Sequence, residues 1–195
     1  KEYRADLSKS IKTLSDLTGK TVDAYRAPGF SIKESNLWAF DVMAEEGIRF
    51  DSSVFPANRA HGGLPQFTTD RPCKVITQRG HELIELPMNT ASLLGKRFVF
   101  SGGGYFRLLP ERYLKHLFKS QEYVMTYFHP RDFDPFQPMI PNLSLLRKFK
   151  SYYGLKSAEK KLCNLVDDFD FVSISQADSS LDWDSTPVVN LGDIS

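Results

Sequence analysis

Four short clusters in this sequence combine the residue types that carry out acid–base and anion chemistry: Arg26-Ala27-Pro28, Asp51-Ser52-Ser53, Gly102 to Arg107, and His129-Pro130-Arg131-Asp132. Each follows apolar or β-branched residues that read as a strand, and in α/β folds ligands gather beyond the carboxyl ends of parallel strands. Independent strands that all deliver polar or Gly-rich residues to one rim describe an active site better than a packing surface. Arg26 offers a planar fork able to orient a carboxylate, a task Arg performs better than Lys; an exposed ion-pair residue is the plainer reading. Asp51 can pair with it across neighbouring strands, or can act as a turn or capping residue alongside Ser52 and Ser53. His129 precedes a proline, so its ring is fixed at the rim, either as a structural or as a catalytic histidine. The other histidines do not join it: His61 lies in an irregular stretch, His81 in a turn and His116 on an exposed helix face. No His or Cys grouping has the spacing of a metal site.

Gly102-Gly103-Gly104 lacks the G-x-G-x-x-G spacing and, on this reading, a helix directly after it, so it is no dinucleotide fingerprint. It marks a place where backbone must approach another group closely. Ser92 and Ser101 lack a G-x-S-x-G elbow, which argues against an α/β-hydrolase nucleophile. Cys73 has a loop-like context and Cys163 lies on the apolar face of a helix, beside Leu162 and Leu165. Two reduced thiols describe them better than a disulfide framework.

The elements that must position these clusters follow from periodicity. Leu7, Ile11, Leu14 and Leu17 predict a helix that Gly19 stops. A strand over 21–26 then leads into Pro28-Gly29. Ser31 and Glu34 predict a capping box for a helix through Leu37, Trp38, Val42 and Met43, with Gly47 as its end and a strand over 48–50. Strand, helix and strand in that order are a βαβ unit with parallel strands. Residues 56–81 are irregular, a length that points to function or partial order. Strands are predicted over 83–86, 98–100, 123–128 and 171–174. Helices are predicted from Pro110, over 143–153 and over 158–169, and the tail after Asp182 reads as frayed.

At 195 residues, 41% hydrophobic and 25% charged, the chain fits one α/β domain spanning 1–195 with a single core. A net charge of +1 leaves no basic field to attract nucleic acid, and no apolar run reaches the ~18 residues of a membrane span.

Four segments resemble the polysaccharide deacetylase family with its NodB-homology fold: Tyr-Arg-Ala-Pro-Gly-Phe-Ser-Ile (25–32), the stretch 38–56, Gly-Gly-Gly-Tyr-Phe-Arg (102–107) and Tyr-Phe-His-Pro-Arg-Asp-Phe-Asp-Pro (127–135). The likeness runs in matching order over nearly the whole chain. It is closest to the branch linked to bacterial exopolysaccharide and O-antigen synthesis. The resemblance implies a distorted (β/α) barrel and removal of N-acetyl groups from amino sugars by a divalent metal, usually zinc. Neither of the family's metal-binding motifs occurs here. Both are expected upstream of residue 1, so the barrel is expected to be N-terminally incomplete. It further implies that Arg26 orients the catalytic base, that His129 is the general acid, and that Asp51 buttresses this network. Phe30, Gly104, Tyr105 and Arg107 are the implied substrate contacts, and Phe106 and Trp38 are further stacking candidates, with core packing the better reading of Trp38. A carbohydrate is the expected partner and the cytoplasm the expected compartment. Two departures stand out: Gly29 intervenes before Phe30 where many members place an aromatic, and Tyr127 replaces a Leu. The rivals are a carbohydrate-binding relative without catalysis and, more remotely, a glycosyltransferase, whose D-x-D motif Asp132-Phe133-Asp134 matches poorly.

Overall fold

The computed structural model describes residues 1–58, 62–93 and 95–194; His61 lies outside the described residues. In chain order the elements are α1 (Glu2–Thr18), β1 (Ala24–Tyr25), α2 (Trp38–Glu45), β2 (Phe50–Asp51), β3 (Cys73–Ile76), β4 (Glu82–Glu85) and β5 (Thr90–Leu93). They continue with β6 (Lys96–Val99), α3 (Gly103–Leu108), α4 (Glu111–Lys119), α5 (Leu145–Tyr152), α6 (Leu155–Asp168), α7 (Ile174–Ser180) and β7 (Val188–Asn190). They gather in two compact units, one made of Lys1–Thr90 with Asp182–Ser195 and the other of Ala91–Leu181.

The first unit is a mixed α/β layer. Its five-stranded sheet has the order β1-β2-β4-β3-β7. Strands β1, β2 and β4 run parallel, β3 runs antiparallel to β4, and β7 runs parallel to β3. The expected β1–α2–β2 unit is present, with its strands cut to two residues each. Helix α1 ends as expected, with Gly19 left-handed at φ 66° and its N–H donating to Ser15 O at 2.9 Å. Its apolar stripe outruns the core, however: Leu7 is buried, whereas Leu17 is 79% exposed. The capping box expected from Ser31 and Glu34 is replaced by Asn36. That side chain accepts the Lys33 N–H at 2.7 Å and donates to Ser31 O at 3.0 Å, while Glu34 accepts from Gln66.

Two readings of this unit are corrected. Cys73 is not in a loop; it opens β3, where alternation buries Cys73 and Val75 against the core. The tail is not frayed either, because β7 pairs Lys74 with Val188 and Val75 with Val189, and it buries Val189 and Leu191. The same core includes Leu37, Phe40, Met43, Leu64, Phe67 and Leu83.

The second unit packs α4 and α6 around Phe100, Phe106, Leu114, Phe118 and Leu165, beside a two-stranded sheet of β5 and β6. A short helix, α3, does begin within the glycine triad, contrary to expectation, although the dinucleotide spacing is still missing. No strand forms over 123–128. Tyr127 makes a lone parallel bridge to Gly102, and the Ser101 hydroxyl takes Met125 O at 2.6 Å in place of a ladder bond. Nor does a strand form at 171–174: Ser173 caps α7, and Phe171 and Val172 are exposed. Cys163 is exposed rather than on the apolar face, since adjacent helical positions lie about 100° apart and Leu165 takes the core position. Both cysteines are free thiols.

Candidate functional site

The expected site residues fall in two sets. Arg26, Phe30 and Asp51 belong to the first unit; Gly104, Tyr105, Arg107 and His129 belong to the second. Within the five-stranded sheet only Arg26 and Asp51 stand at strand ends, because Gly102 and His129 adjoin the isolated bridge of the second unit.

Parallel pairing of β2 with β4 sets Asp51 directly opposite Glu85, and both carboxyl groups are buried. Two neighbouring carboxylates without water cannot both ionise, so the pair keeps a proton. Burial pushes both groups above the ordinary carboxylate range, and Glu85 goes much further because the Asp51 charge adds to the effect. Donors explain the asymmetry. Asp51 receives the Ser53 N–H at 3.0 Å and the Ser53 hydroxyl at 2.6 Å, whereas Glu85 Oε1 receives the Val54 N–H at 3.0 Å. Glu85 Oε2 finds no donor, and a carboxyl that keeps its proton needs one less than a carboxylate does.

Arg26 does not pair directly with Asp51, as neighbouring strands had suggested. Its Nε donates to Ser52 O at 3.0 Å and its Nη2 to Ser52 Oγ at 2.7 Å; that hydroxyl in turn donates to Leu86 O at 2.7 Å. The Ala27 N–H donates to Ser53 Oγ at 2.7 Å. The two serines therefore tie arginine and carboxyl pair into one network. Phe30 is buried, with the guanidinium 5.4 Å from its ring centroid. Gly29 explains how the ring gets there: it and Phe30 are left-handed in succession, at φ 65° and 53°, a turn that a residue with Cβ rarely enters. Phe30 thus supports Arg26 from within the core.

In the second unit His129 is 66% side-chain exposed and opens a 3-10 turn, Pro130–Phe133. Its backbone N–H donates to Asp132 Oδ2 at 3.0 Å, and its Nδ1 lies 3.6 Å from the same oxygen. Asp132 is buried, and its other oxygen lies 3.4 Å from Arg107 Nε. Burial lowers the Arg107 pKa, with Asp132 acting in opposition. The rest of the Arg107 fork donates to the carbonyls of Lys150, Ser151 and Tyr153 at 2.9, 2.8 and 3.1 Å. Arg107 is therefore a framework residue that holds the end of α5 and the carboxylate behind His129. Tyr105 is 48% exposed and lies 4.9 Å from Phe98, ring to ring, whereas Phe106 is wholly in the core. Trp38 is half exposed against Tyr3. The close approach expected at the triad is real at Gly102, where a Cβ would stand 2.1 Å from Tyr127 O.

Sequence reasoning missed two members, Glu85 and the role of Asp132. Glu85 carries no local signal, since only the register of β4 on β2 places it opposite Asp51. Asp132 does carry one: a carboxylate three residues after a turn-opening residue and a proline is a capping pattern.

Residues 52–178 match the family model described as Domain of unknown function (DUF3473), and the chain belongs to that family. The match takes in the glycine triad and His129 and begins one residue after Asp51. No curated protein and no solved structure matches the chain.

Proposed function

We propose that this chain belongs to a metal-dependent carbohydrate N-deacetylase that acts on amino sugars of a bacterial surface polysaccharide or its precursor, on a distorted (β/α) barrel. The observation that carries the reading is His129: an exposed imidazole whose Nδ1 faces a buried carboxylate, itself anchored by Arg107. Association of this domain family with polysaccharide deacetylase-like proteins supports it. Amide hydrolysis has to protonate a poor leaving amine, and an exposed imidazole is a side chain able to hand over that proton. Asp132 Oδ2 stands 3.6 Å from Nδ1, on the side away from Nε2, which is the nitrogen to deliver the proton. Arg26, braced by Ser52 and Phe30, supplies the fixed cation that orients the base. The zinc implied by the resemblance does not fit the described residues, among which no three His, Cys, Asp or Glu side chains group as ligands.

The test is His129→Ala in the natural protein, with acetate release and thermal melting measured on the same sample. The expected result is a catalytic constant lowered roughly 10²–10⁴-fold, the usual contribution of general acid catalysis. Melting should not change, since so exposed a side chain has little burial to lose. Near-normal turnover would remove His129 from the chemistry. Tyr105 also fits a second reading, a binding module without catalysis, because a half-exposed ring braced by Phe98 can stack a sugar with or without turnover. Glycan binding that survives His129→Ala, with no acetate released by the unmutated protein, would select that module.

A further inference from the structure

The region between Asp134 and Glu159 contains four basic residues, Arg147, Lys148, Lys150 and Lys156, and no acidic one, within a chain whose net charge is only +1. All four are exposed, and none makes an ion pair among the described residues. The same region shows the chain's densest group of exposed apolar side chains: Phe136 at 89%, Leu145 at 86%, Leu146, Met139, Ile140 and Phe149. Helix α5 sorts the two kinds. At 100° per residue, Leu145, Phe149 and Leu146 fall on one arc and Arg147, Lys148 and Lys150 on the other. No α5 residue is buried.

Hydrogen bonds, not apolar burial, hold the 134–144 loop and α5 in place. The Tyr152 hydroxyl accepts the Ile140 N–H at 2.8 Å and donates to Pro138 O at 3.1 Å, which ties the loop to α5. Gln137 Nε2 donates to Arg131 O at 2.6 Å and Asp134 O at 3.0 Å. From below, the Arg107 fork binds the last carbonyls of α5. A backbone anchored this firmly, with its apolar side chains turned outward, is a built surface. A run of exposed apolar side chains on one anchored segment marks an interaction site.

We infer that α5 and the preceding 134–144 loop form a peripheral docking surface for an anionic lipid bilayer. The charge selects the occupant. An amphipathic helix with a basic face lies in the headgroup plane, its apolar side chains about 5–10 Å deep and its cations among lipid phosphates. A second copy of this chain fits poorly, because an isologous contact would bring the same three α5 cations against each other. Eight helical residues lie on a membrane; they cannot cross one.

The experiment is co-sedimentation of the full chain with vesicles of phosphatidylcholine alone and with vesicles that also contain phosphatidylserine. Binding is expected to the mixed vesicles and to be weak on the uncharged ones. Lys148→Gln combined with Lys150→Gln should lower partition onto the mixed vesicles about 30-fold, at roughly a factor of five per lost cation. Phe136→Asp combined with Leu145→Asp should abolish it, while circular dichroism stays native because both side chains are already in water. Absence of binding to the mixed vesicles, or equal binding to both kinds, overturns the inference. So does a concentration-dependent dimer in gel filtration that Phe136→Asp with Leu145→Asp dissolves, which would assign the face to a second copy. Because lipid binding is read without catalysis, failure here leaves the deacetylase reading untouched, and the reverse also holds.

Discussion

Asp132 and Glu85 are both buried carboxyl groups, yet they are stabilised in opposite ways. Asp132 has the Arg107 cation on one oxygen and the His129 N–H on the other, so its charge is matched. Glu85 has a like group opposite it, so it keeps its proton. This gives the Glu85 group a definite sign in pH-dependent stability. A raised folded pKa means that the native state holds a proton the unfolded chain has released, so stability falls as pH rises from about 4.3 through the raised value. The contribution is complete below that window and is lost above it. Glu85→Gln keeps the acceptor for Val54 and a donor toward Asp51, but it never ionises. The variant's melting temperature should therefore gain on that of the unmutated chain as pH is raised from 5 to 8, with the two close at pH 5. Parallel melting curves across that range would show that Glu85 ionises normally.

Among the elements, the glycine triad holds at least two roles that the sequence presents as one. Gly102 is extended, and a Cβ there would meet Tyr127 O at 2.1 Å; Gly104 lies inside α3 with only ordinary contacts. Gly102→Ala should thus destabilise the second unit by about 1–3 kcal/mol through forced displacement of the bridge. Gly104→Ala should stabilise it by roughly 0.5–1 kcal/mol through helix propensity. Denaturant midpoints of the two variants check this, and equal shifts would contradict it. Helices α1, α4 and α6 were legible because each carries a 3.6-residue period over two turns or more. Strands β1, β2, β4 and β6 overlap stretches that read as strands, whereas β3, β5 and β7 were missed, since three residues of β7 hold no period and β3 lies in a stretch that reads as irregular. Residues 123–128 and 171–174 have strand composition, but no neighbouring ladder takes their backbone, so β-propensity alone misled. The site was legible to the same degree. Arg26, Asp51 and His129 announce themselves beside proline, serine and glycine, whereas Glu85 depends on register. Arg107 looks like a ligand group until its fork is seen to bind three carbonyls.

For the molecule as a whole, the strand that closes the first unit comes from the last residues of the chain. Strand β7 covers the free side of β3: Lys74 donates its N–H to Pro187 O at 2.9 Å, and Val75 faces Val189 in register. Val189 and Leu191 are buried there, a gain of about 1.5–3 kcal/mol each. Next to this contact sits Cys73, wholly buried, its thiol pKa raised by burial and then by Glu85, so it is doubly protected from a thiol reagent. Cys163 is exposed and serves as the internal control. In the intact chain a maleimide should label Cys163 quickly and Cys73 hardly at all. Ending the chain at Leu181 removes the Val189 and Leu191 burial, and the loss of one such side chain, about 3 kcal/mol, makes opening of β3 roughly a hundredfold more frequent. Cys73 labelling should therefore accelerate by at least that factor while the Cys163 rate stays the same, as peptide mass spectrometry after a timed quench would show. If Cys73 stays as slow in the shortened chain as in the intact one, β7 contributes nothing to closing the sheet.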